Sequence, residues 1–183
     1  MIKLKNLINE NSSSTYSYGC GMLYFDFPEI EQIHNLISPS DLYIEDGDST
    51  YGLEDEPHTT LLYGLHDEVS PISIDKTLGK FTYGNCKIHT PSLFKNEKYD
   101  VLKFDVSGDN LHQTNTELKK FPHTSSYPNY HPHLTIAYIK AGEGNKYVNM
   151  LNKSGMNEFS LTPQYGIYST SNGKKHRIEI NKI

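Results

Sequence analysis

One seven-residue phrase occurs twice in the sequence. Residues Pro57–Tyr63 read PHTTLLY, and residues Pro132–Tyr138 read PHLTIAY, so proline, histidine, threonine and tyrosine keep the same offsets in both copies. Histidine can hold or release a proton near neutral pH, and a threonine hydroxyl can donate a hydrogen bond to a charged oxygen. The repeat therefore predicts a matched acid and base, with two hydroxyl groups, around one phosphate ester.

The apolar neighbours of both copies predict that each phrase lies on a strand. Side chains two residues apart on a strand project from the same face. His58 and Thr60 are therefore expected to point together, as are His133 and Thr135, and we predict these four residues as the catalytic group. The same alternation predicts that the next residues project from the opposite face, where they can pack against a helix: Leu61, Tyr63, Ile136 and Tyr138.

Two further segments match the short pattern His-x-Ser/Thr. His112–Thr114 lies in a polar stretch with helical spacing, and His123–Ser125 lies in a polar loop. Neither has strand-forming neighbours, and so short a pattern occurs often by chance. Only the two copies on apolar strands are interpreted as functional.

Both halves of the chain predict strand–helix–strand units around one motif strand. Strands are expected over 18–27, 58–65, 81–90, 99–107 and from Pro132 onward, and helices over 28–38, 73–79, 109–120 and 145–153. A hairpin near 159–180, turning at Asn172 and Gly173, closes the chain. Many strands with few helices favour an α+β fold, with two pseudo-equivalent antiparallel-sheet lobes flanked by helices around a central cleft.

The composition is that of a globular protein of 183 residues, with 36% hydrophobic and 21% charged residues. We expect a flexible tail over residues 1–15 and a single bilobal domain over 16–183, with no signal peptide or membrane span. The net charge of -5 disfavours a long nucleic acid, because its backbone would be repelled, and leaves a small nucleotide as the expected partner. Cys20 and Cys86 show no metal or redox spacing, so reduced thiols and a cytoplasmic location are expected.

The two motifs resemble those of the two-histidine (2H) phosphoesterase superfamily, whose signature is a pair of His-x-Thr/Ser strands in a bilobal α+β fold. The order of the predicted elements is similar over most of residues 16–180. This resemblance implies a metal-independent phosphodiesterase without a cofactor, and we expect a monomer. The flanking residues of His58 and His133 fit the pattern on both strands.

Within that superfamily, the chain most resembles the phage-encoded anti-CBASS phosphodiesterases. The similarity lies in the compact size, in the strand Tyr18–Met22 and in the approach Glu54–His58 to the first motif. It implies a substrate among the cyclic di- and trinucleotides of bacterial antiphage immunity, cleaved at 3'-5' bonds in the host cytoplasm.

Nucleobases need stacking partners, which tyrosine and phenylalanine rings supply. The candidates are Tyr16 and Tyr18, at the entrance to the first strand, and Phe94 and Tyr127, on loops. The acidic loop over 45–56 precedes His58 directly. It is either a solvated loop or the source of a carboxylate that raises the pKa of His58.

Three other interpretations stay open at this level. His123, His131 and His133 are close enough in sequence to be metal ligands, although Pro132 and the lack of a nearby carboxylate or cysteine weaken this hypothesis. A non-catalytic protein that sequesters a nucleotide is the second. RNA end processing, on 2',3'-cyclic or 2'-5' linkages, is the third. The sequence does not decide which histidine is the acid and which the base.

Overall fold

The computed structural model describes residues 18–48, 50–125 and 127–183, so the predicted tail over 1–15 and the candidate Tyr16 lie outside the described residues. The strands are β1 (Gly19–Phe25), β2 (His58–Leu65), β3 (Thr82–Tyr83), β4 (Cys86–Lys95), β5 (Tyr99–Ser107), β6 (His133–Lys140), β7 (Phe159–Leu161), β8 (Pro163–Ser169), β9 (Lys175–Ile178) and β10 (Asn181–Lys182). The α-helices are α1 (Ile30–Asn35), α2 (Pro71–Leu78), α3 (Leu111–Leu118) and α4 (Gly144–Ser154), and a 3-10 turn covers Pro39–Asp41.

Eight strands form one sheet in the order β7-β4-β5-β6-β2-β1-β8-β9, and every neighbouring pair is antiparallel. The motif strands β2 and β6 lie side by side at its centre. Four strands on either side of this junction form the two lobes, each with one motif strand. The predicted α+β class with two antiparallel lobes is confirmed, and the lobes are halves of one continuous sheet.

The helices pack on one face of the sheet. The α3 residue Leu118 packs near Gly21 of β1, and the α2 residue Leu78 packs on Gly166 of β8. On the other lobe, α4 begins at Gly144, directly against Leu93 of β4. The main apolar core lies between these helices and the sheet, so polar side chains on the central strands must project from the opposite face.

Element boundaries differ from the prediction where local chemistry intervenes. The second helix begins at Pro71 rather than at residue 73, because the Ser70 hydroxyl caps it by accepting the Ser73 N–H at 3.2 Å. The strand predicted over 81–90 is divided into β3 and β4, and β4 continues past Pro91 to Lys95. A register shift just before Pro91 lets the strand continue, since proline has no N–H for the ladder.

The two cysteines form no disulfide, as predicted: Cys20 is half-buried and Cys86 is buried. Among the described residues, no helix has both the length and the apolar character needed to span a membrane.

Candidate functional site

The two motif strands bring the four predicted catalytic side chains together. Thr59 of β2 pairs with Leu134 of β6 in antiparallel register. This register sets His58 opposite Thr135 and Thr60 opposite His133, so the four side chains share one face and the histidines lie diagonally across it. His58 and Thr135 are nearly buried, at 6% and 4% exposure, whereas Thr60 and His133 are half-buried.

Both motif histidines are held by the same backbone contact. Nδ1 of His58 lies 2.8 Å from the carbonyl oxygen of Glu56, and Nδ1 of His133 lies 2.8 Å from that of His131. A carbonyl oxygen can only accept, so each Nδ1 carries the hydrogen that it donates. This fixes the ring orientation and leaves Nε2 of each histidine as the nitrogen that can take up or release a proton.

Each motif strand also contains a bulge at the same position of the repeat. Leu61 in β2 has no partner in β1, and Ile136 in β6 has no partner in β5. Each is the third residue after its histidine, and the extra residue inverts the alternation that follows. Tyr63 and Tyr138 therefore turn onto the face of the threonines. The prediction that they project from the opposite face is wrong for this reason.

A cavity of about 550 Å³ adjoins Thr60 and His133. Three of the four residues predicted to stack on bases line it: Tyr18, Phe94 and Tyr127. Three further tyrosines, two lysines and several amides and hydroxyls complete its walls, among them Tyr63, Tyr99, Tyr130, Lys95, Lys119, Asn96, Asn115, Asn129, Thr124 and Ser125. The described lining residues include no carboxylate, so the cavity is locally basic in a chain with a net charge of -5.

The surroundings of His133 favour its neutral form. The Phe94 ring packs against it at a centroid distance of 4.9 Å, with the two rings nearly perpendicular. Burial lowers the pKa of His133 to about 4, and the positive charges of Lys103 and His58 act in the same direction. The carboxylate of Asp105 opposes this shift. At neutral pH, Nε2 of His133 is therefore unprotonated and able to accept a proton.

A column of stacked groups holds His58 on the other lobe. Its ring stacks on Tyr24 at 5.5 Å, Tyr24 stacks on Tyr165 at 5.1 Å, and the guanidinium of Arg177 lies 3.9 Å from the Tyr165 ring centroid. These residues belong to β2, β1, β8 and β9, so the column crosses half of the sheet. The stacked packing and the Nδ1 hydrogen bond together fix the plane of the His58 ring.

The acidic loop before His58 has two parts. Asp46 and Asp55 are exposed, whereas Glu54 is buried and its backbone N–H donates to the carbonyl oxygen of Ile136 at 2.8 Å. Burial raises the pKa of the Tyr24 hydroxyl, and the nearby carboxylates of Glu56 and Glu54 raise it further. The loop therefore ends in negative charge close to the ring that stacks on His58.

Three residues on this face were missed by sequence reasoning. Lys103 and Asp105 lie on β5, opposite Thr135 and His133 respectively, and Tyr24 lies on β1 opposite His58. A signal existed for two of them, because Lys103 and Asp105 alternate with apolar residues along β5. It became interpretable only once β5 was known to pair with β6.

The histidines of the metal hypothesis lie in separate settings. Nδ1 of His123 is 2.9 Å from the carbonyl oxygen of Phe121, and His131 is exposed and contributes its carbonyl to His133. Within residues 18–48, 50–125 and 127–183, no group of three or more His, Cys, Asp or Glu side chains is arranged to hold a metal ion.

Comparison with known proteins relates the chain to solved structures only, since no family model and no curated protein matches it. E. coli LigT in complex with 3'-AMP superposes with a TM-score of 0.50 and 14% identity, over 90% of this chain and 97% of that chain. LigT in complex with NADP+ gives 0.42 and 14%, over 90% and 96%. A protein described as a phosphoesterase gives 0.46 and 13%, over 88% and 95%. The chain therefore has the α+β fold of LigT.

Proposed function

We propose that the protein is a phosphodiesterase that cleaves short oligonucleotides with His58 and His133 as its general acid and base. The observation that carries this proposal is the matched pair of histidines on facing strands, each with Nδ1 bonded to a backbone carbonyl, so that proton transfer falls to Nε2. A protein that only binds a nucleotide has no need of two such groups. Acid–base catalysis of phosphodiester cleavage uses both.

The surroundings of His133 support one assignment of the two roles. His133 is neutral at neutral pH and lies near Lys103, so it suits the base. The other motif histidine, His58, is then the proton donor, because the mechanism needs one base and one acid. We therefore assign His133 as the general base and His58 as the general acid.

The reaction begins when Nε2 of His133 removes the proton of a ribose 2'-hydroxyl or of a water molecule. The oxygen attacks phosphorus and forms a new P–O bond, while the bond to the leaving 5'-oxygen breaks. His58 gives its Nε2 proton to that oxygen, so charge and protons balance. A 2'-hydroxyl nucleophile leaves a 2',3'-cyclic phosphate, and water leaves a terminal phosphate.

Thr60 and Thr135 bind the two non-bridging oxygens in this proposal. Each threonine lies opposite the histidine of the other strand, so one hydroxyl flanks each side of the phosphate. Hydroxyl donors aimed at the oxygens where charge builds up stabilise the transition state more than the ground state.

The cavity supports a nucleotide as the substrate. LigT has been crystallised with 3'-AMP, and the aromatic rings of Tyr18, Phe94 and Tyr127 are suitable platforms for bases in this chain. Cyclic di- and trinucleotides with 3'-5' bonds are our narrower proposal, as in a phage counter-defence enzyme. It is supported by the resemblance at Tyr18–Met22 and by a basic cavity in an acidic protein.

The test is a substrate panel incubated with EDTA: cyclic di- and trinucleotides, linear 3'-5' and 2'-5' oligonucleotides, and 2',3'-cyclic nucleotides. Wild type is expected to cleave at least the cyclic dinucleotides. His58→Ala and His133→Ala are each expected to lose about 100-fold or more in kcat, because each removes one proton-transfer group. His112→Ala is the matched control, since His112 belongs to a His-x-Thr sequence on α3 and should stay active.

Two outcomes would contradict the proposal. If wild type binds a cyclic nucleotide and returns it intact, the protein sequesters nucleotides. If either motif variant keeps near-normal turnover, the paired acid–base mechanism is wrong. Cleavage confined to 2',3'-cyclic ends would instead assign the site to RNA end processing.

A further inference from the structure

Lys103 is a buried lysine on the face of the sheet that carries the motif histidines. Its position on β5 lies directly opposite Thr135, and it is 5% exposed. Lysine is seldom buried to this extent, because its ammonium group loses hydration. Such a residue at the centre of a sheet needs a physical reason.

The contacts of the Lys103 ammonium group use only part of its hydrogen-bonding capacity. Nζ donates to Ser92 Oγ at 2.7 Å and to the carboxylate of Asp105, and it lies 4.5 Å from the ring centroid of Phe94. An ammonium has three N–H donors, so one has no oxygen acceptor among the described residues. The Asp105 side chain is 55% exposed, so solvent screens its charge while Lys103 lies inside.

The equivalent position of the other lobe shows that packing alone does not require a charge here. Met22 lies opposite Thr60, as Lys103 lies opposite Thr135, and Met22 is 1% exposed. Methionine has a similar length and fills this position without a hydrogen bond. The lysine therefore adds a charge to a place that an apolar side chain of similar length can occupy.

We infer that Lys103 is a phosphate-binding residue: its ammonium group contacts a non-bridging oxygen of the substrate phosphate beside Thr135. This inference rests on the proposed function. A phosphodiester carries one negative charge, and a second develops as the nucleophile attacks. With His133 neutral, the four motif side chains supply one positive charge at most, from His58. Lys103 supplies another from a buried position.

Binding of 3'-AMP and of adenosine, measured by calorimetry, isolates the phosphate contribution. We expect Lys103→Met to weaken 3'-AMP binding by about 10- to 100-fold and to leave adenosine binding unchanged. Asp105→Asn keeps the lysine and removes its screening carboxylate, so 3'-AMP should bind more tightly. Lys98→Met is the control for the loss of one positive charge, because Lys98 is exposed and pairs with Glu45.

A second measurement is the pH at which kcat/KM falls on the acidic side of its profile, because this pH reports the pKa of His133. The groups around His133 are Lys103 and Asp105 on β5 and His58 on β2. Loss of the Lys103 cation raises the pKa of His133, so the fall in kcat/KM should move to higher pH in Lys103→Met. Loss of the Asp105 anion should move it to lower pH. These shifts test whether the Lys103 cation lies close to His133, and the comparison of 3'-AMP with adenosine tests whether it binds phosphate.

The inference is wrong if Lys103→Met, shown to be folded by its thermal transition, binds 3'-AMP as wild type does. If Lys103→Met does not fold, Asp105→Asn decides, and weaker 3'-AMP binding in that variant would overturn the inference. Failure of the proposed function is distinguishable, since wild type would then cleave no phosphodiester. The comparison of 3'-AMP with adenosine would still test Lys103.

Discussion

Met22 and Lys103 lie at equivalent positions of the two lobes, yet one is apolar and the other is charged. The next equivalent pair differs in the same way, with Tyr24 opposite His58 and Asp105 opposite His133. The repeat therefore supplies two similar histidines, and the adjacent strands give them unlike surroundings. Such an asymmetry suits a reaction that needs one proton donor and one proton acceptor.

The pH dependence of activity follows from the surroundings of His133. Burial lowers the pKa of His133 to about 4, and the base must be neutral to accept a proton. As pH falls, activity is lost only when His133 becomes protonated, so kcat/KM should fall near pH 4 rather than near the ordinary histidine value of about 6.5. A pH–rate profile, with circular dichroism to monitor folding and NMR titration of the imidazole resonances, tests this. An apparent pKa near 6.5 for His133 would contradict it.

Tyr24 is expected to act as a positioning residue for His58. Tyr24→Phe keeps the stacked ring and removes a buried hydroxyl that has no partner among the described residues, so stability should stay equal or rise by about 1 kcal/mol. Tyr24→Leu removes the stack, and kcat should fall by about tenfold with little change in KM. Steady-state kinetics and urea denaturation measure both effects. A similar loss of kcat in Tyr24→Phe would show that the hydroxyl, rather than the ring, is needed.

Lys119 is expected to bind a second phosphate of a longer substrate. It lies half-buried at the C-terminal end of α3, lines the cavity and has no carboxylate of the described residues within ion-pair range. Lys119→Met should raise KM by about fivefold for a cyclic dinucleotide, and should leave KM unchanged for bis(4-nitrophenyl) phosphate, which has one phosphate. Lys98→Met should change neither. Equal effects on both substrates would mean that Lys119 acts on the protein rather than on a second phosphate.

The parts of this fold that local pattern controls could be predicted from the sequence. The strand His58–Leu65 has the predicted bounds, because alternating apolar residues and the motif mark it. Helices α2, α3 and α4 occur where spacing predicts them, with ends shifted by one or two residues, and the shifted start of α2 is explained by the Ser70 cap. The grouping of the four catalytic candidates depended on the repeat, since only a repeated phrase indicated that distant strands share one site.

Cross-strand register was beyond such reasoning. The bulges at Leu61 and Ile136 turn Tyr63 and Tyr138 to the other face, and a shift of one residue leaves no mark in hydrophobic alternation. Lys103 could be identified as a site residue only from its cross-strand pairing with Thr135, which lies on a strand distant in sequence. The assignment of base and acid depends on such neighbours as well, which explains why the sequence left it open.

Gly64 anchors the wall of the cavity to β2, and its replacement should be costly. The φ of Gly64 is +115°, and a Cβ at this position would lie 1.9 Å from the carbonyl oxygen of Thr124. The backbone N–H of Thr124 donates a hydrogen bond to the carbonyl oxygen of Gly64 at 2.9 Å. Gly64→Ala should therefore lower the free energy of unfolding by about 2–4 kcal/mol in urea denaturation. Gly52→Ala is the matched control, because Gly52 also has a positive φ but nothing within 4 Å of its Cβ position, so only backbone strain of about 1–2 kcal/mol is expected.

The same substitution links stability to function, because Thr124 and Ser125 line the cavity. If the backbone of this segment must move away from the added methyl group, KM should rise in Gly64→Ala and stay unchanged in Gly52→Ala. Equal losses of stability in the two variants would mean that the segment accommodates the methyl group freely. In that case the close approach of Gly64 to Thr124 does not hold the wall in place, and KM should be the same in both.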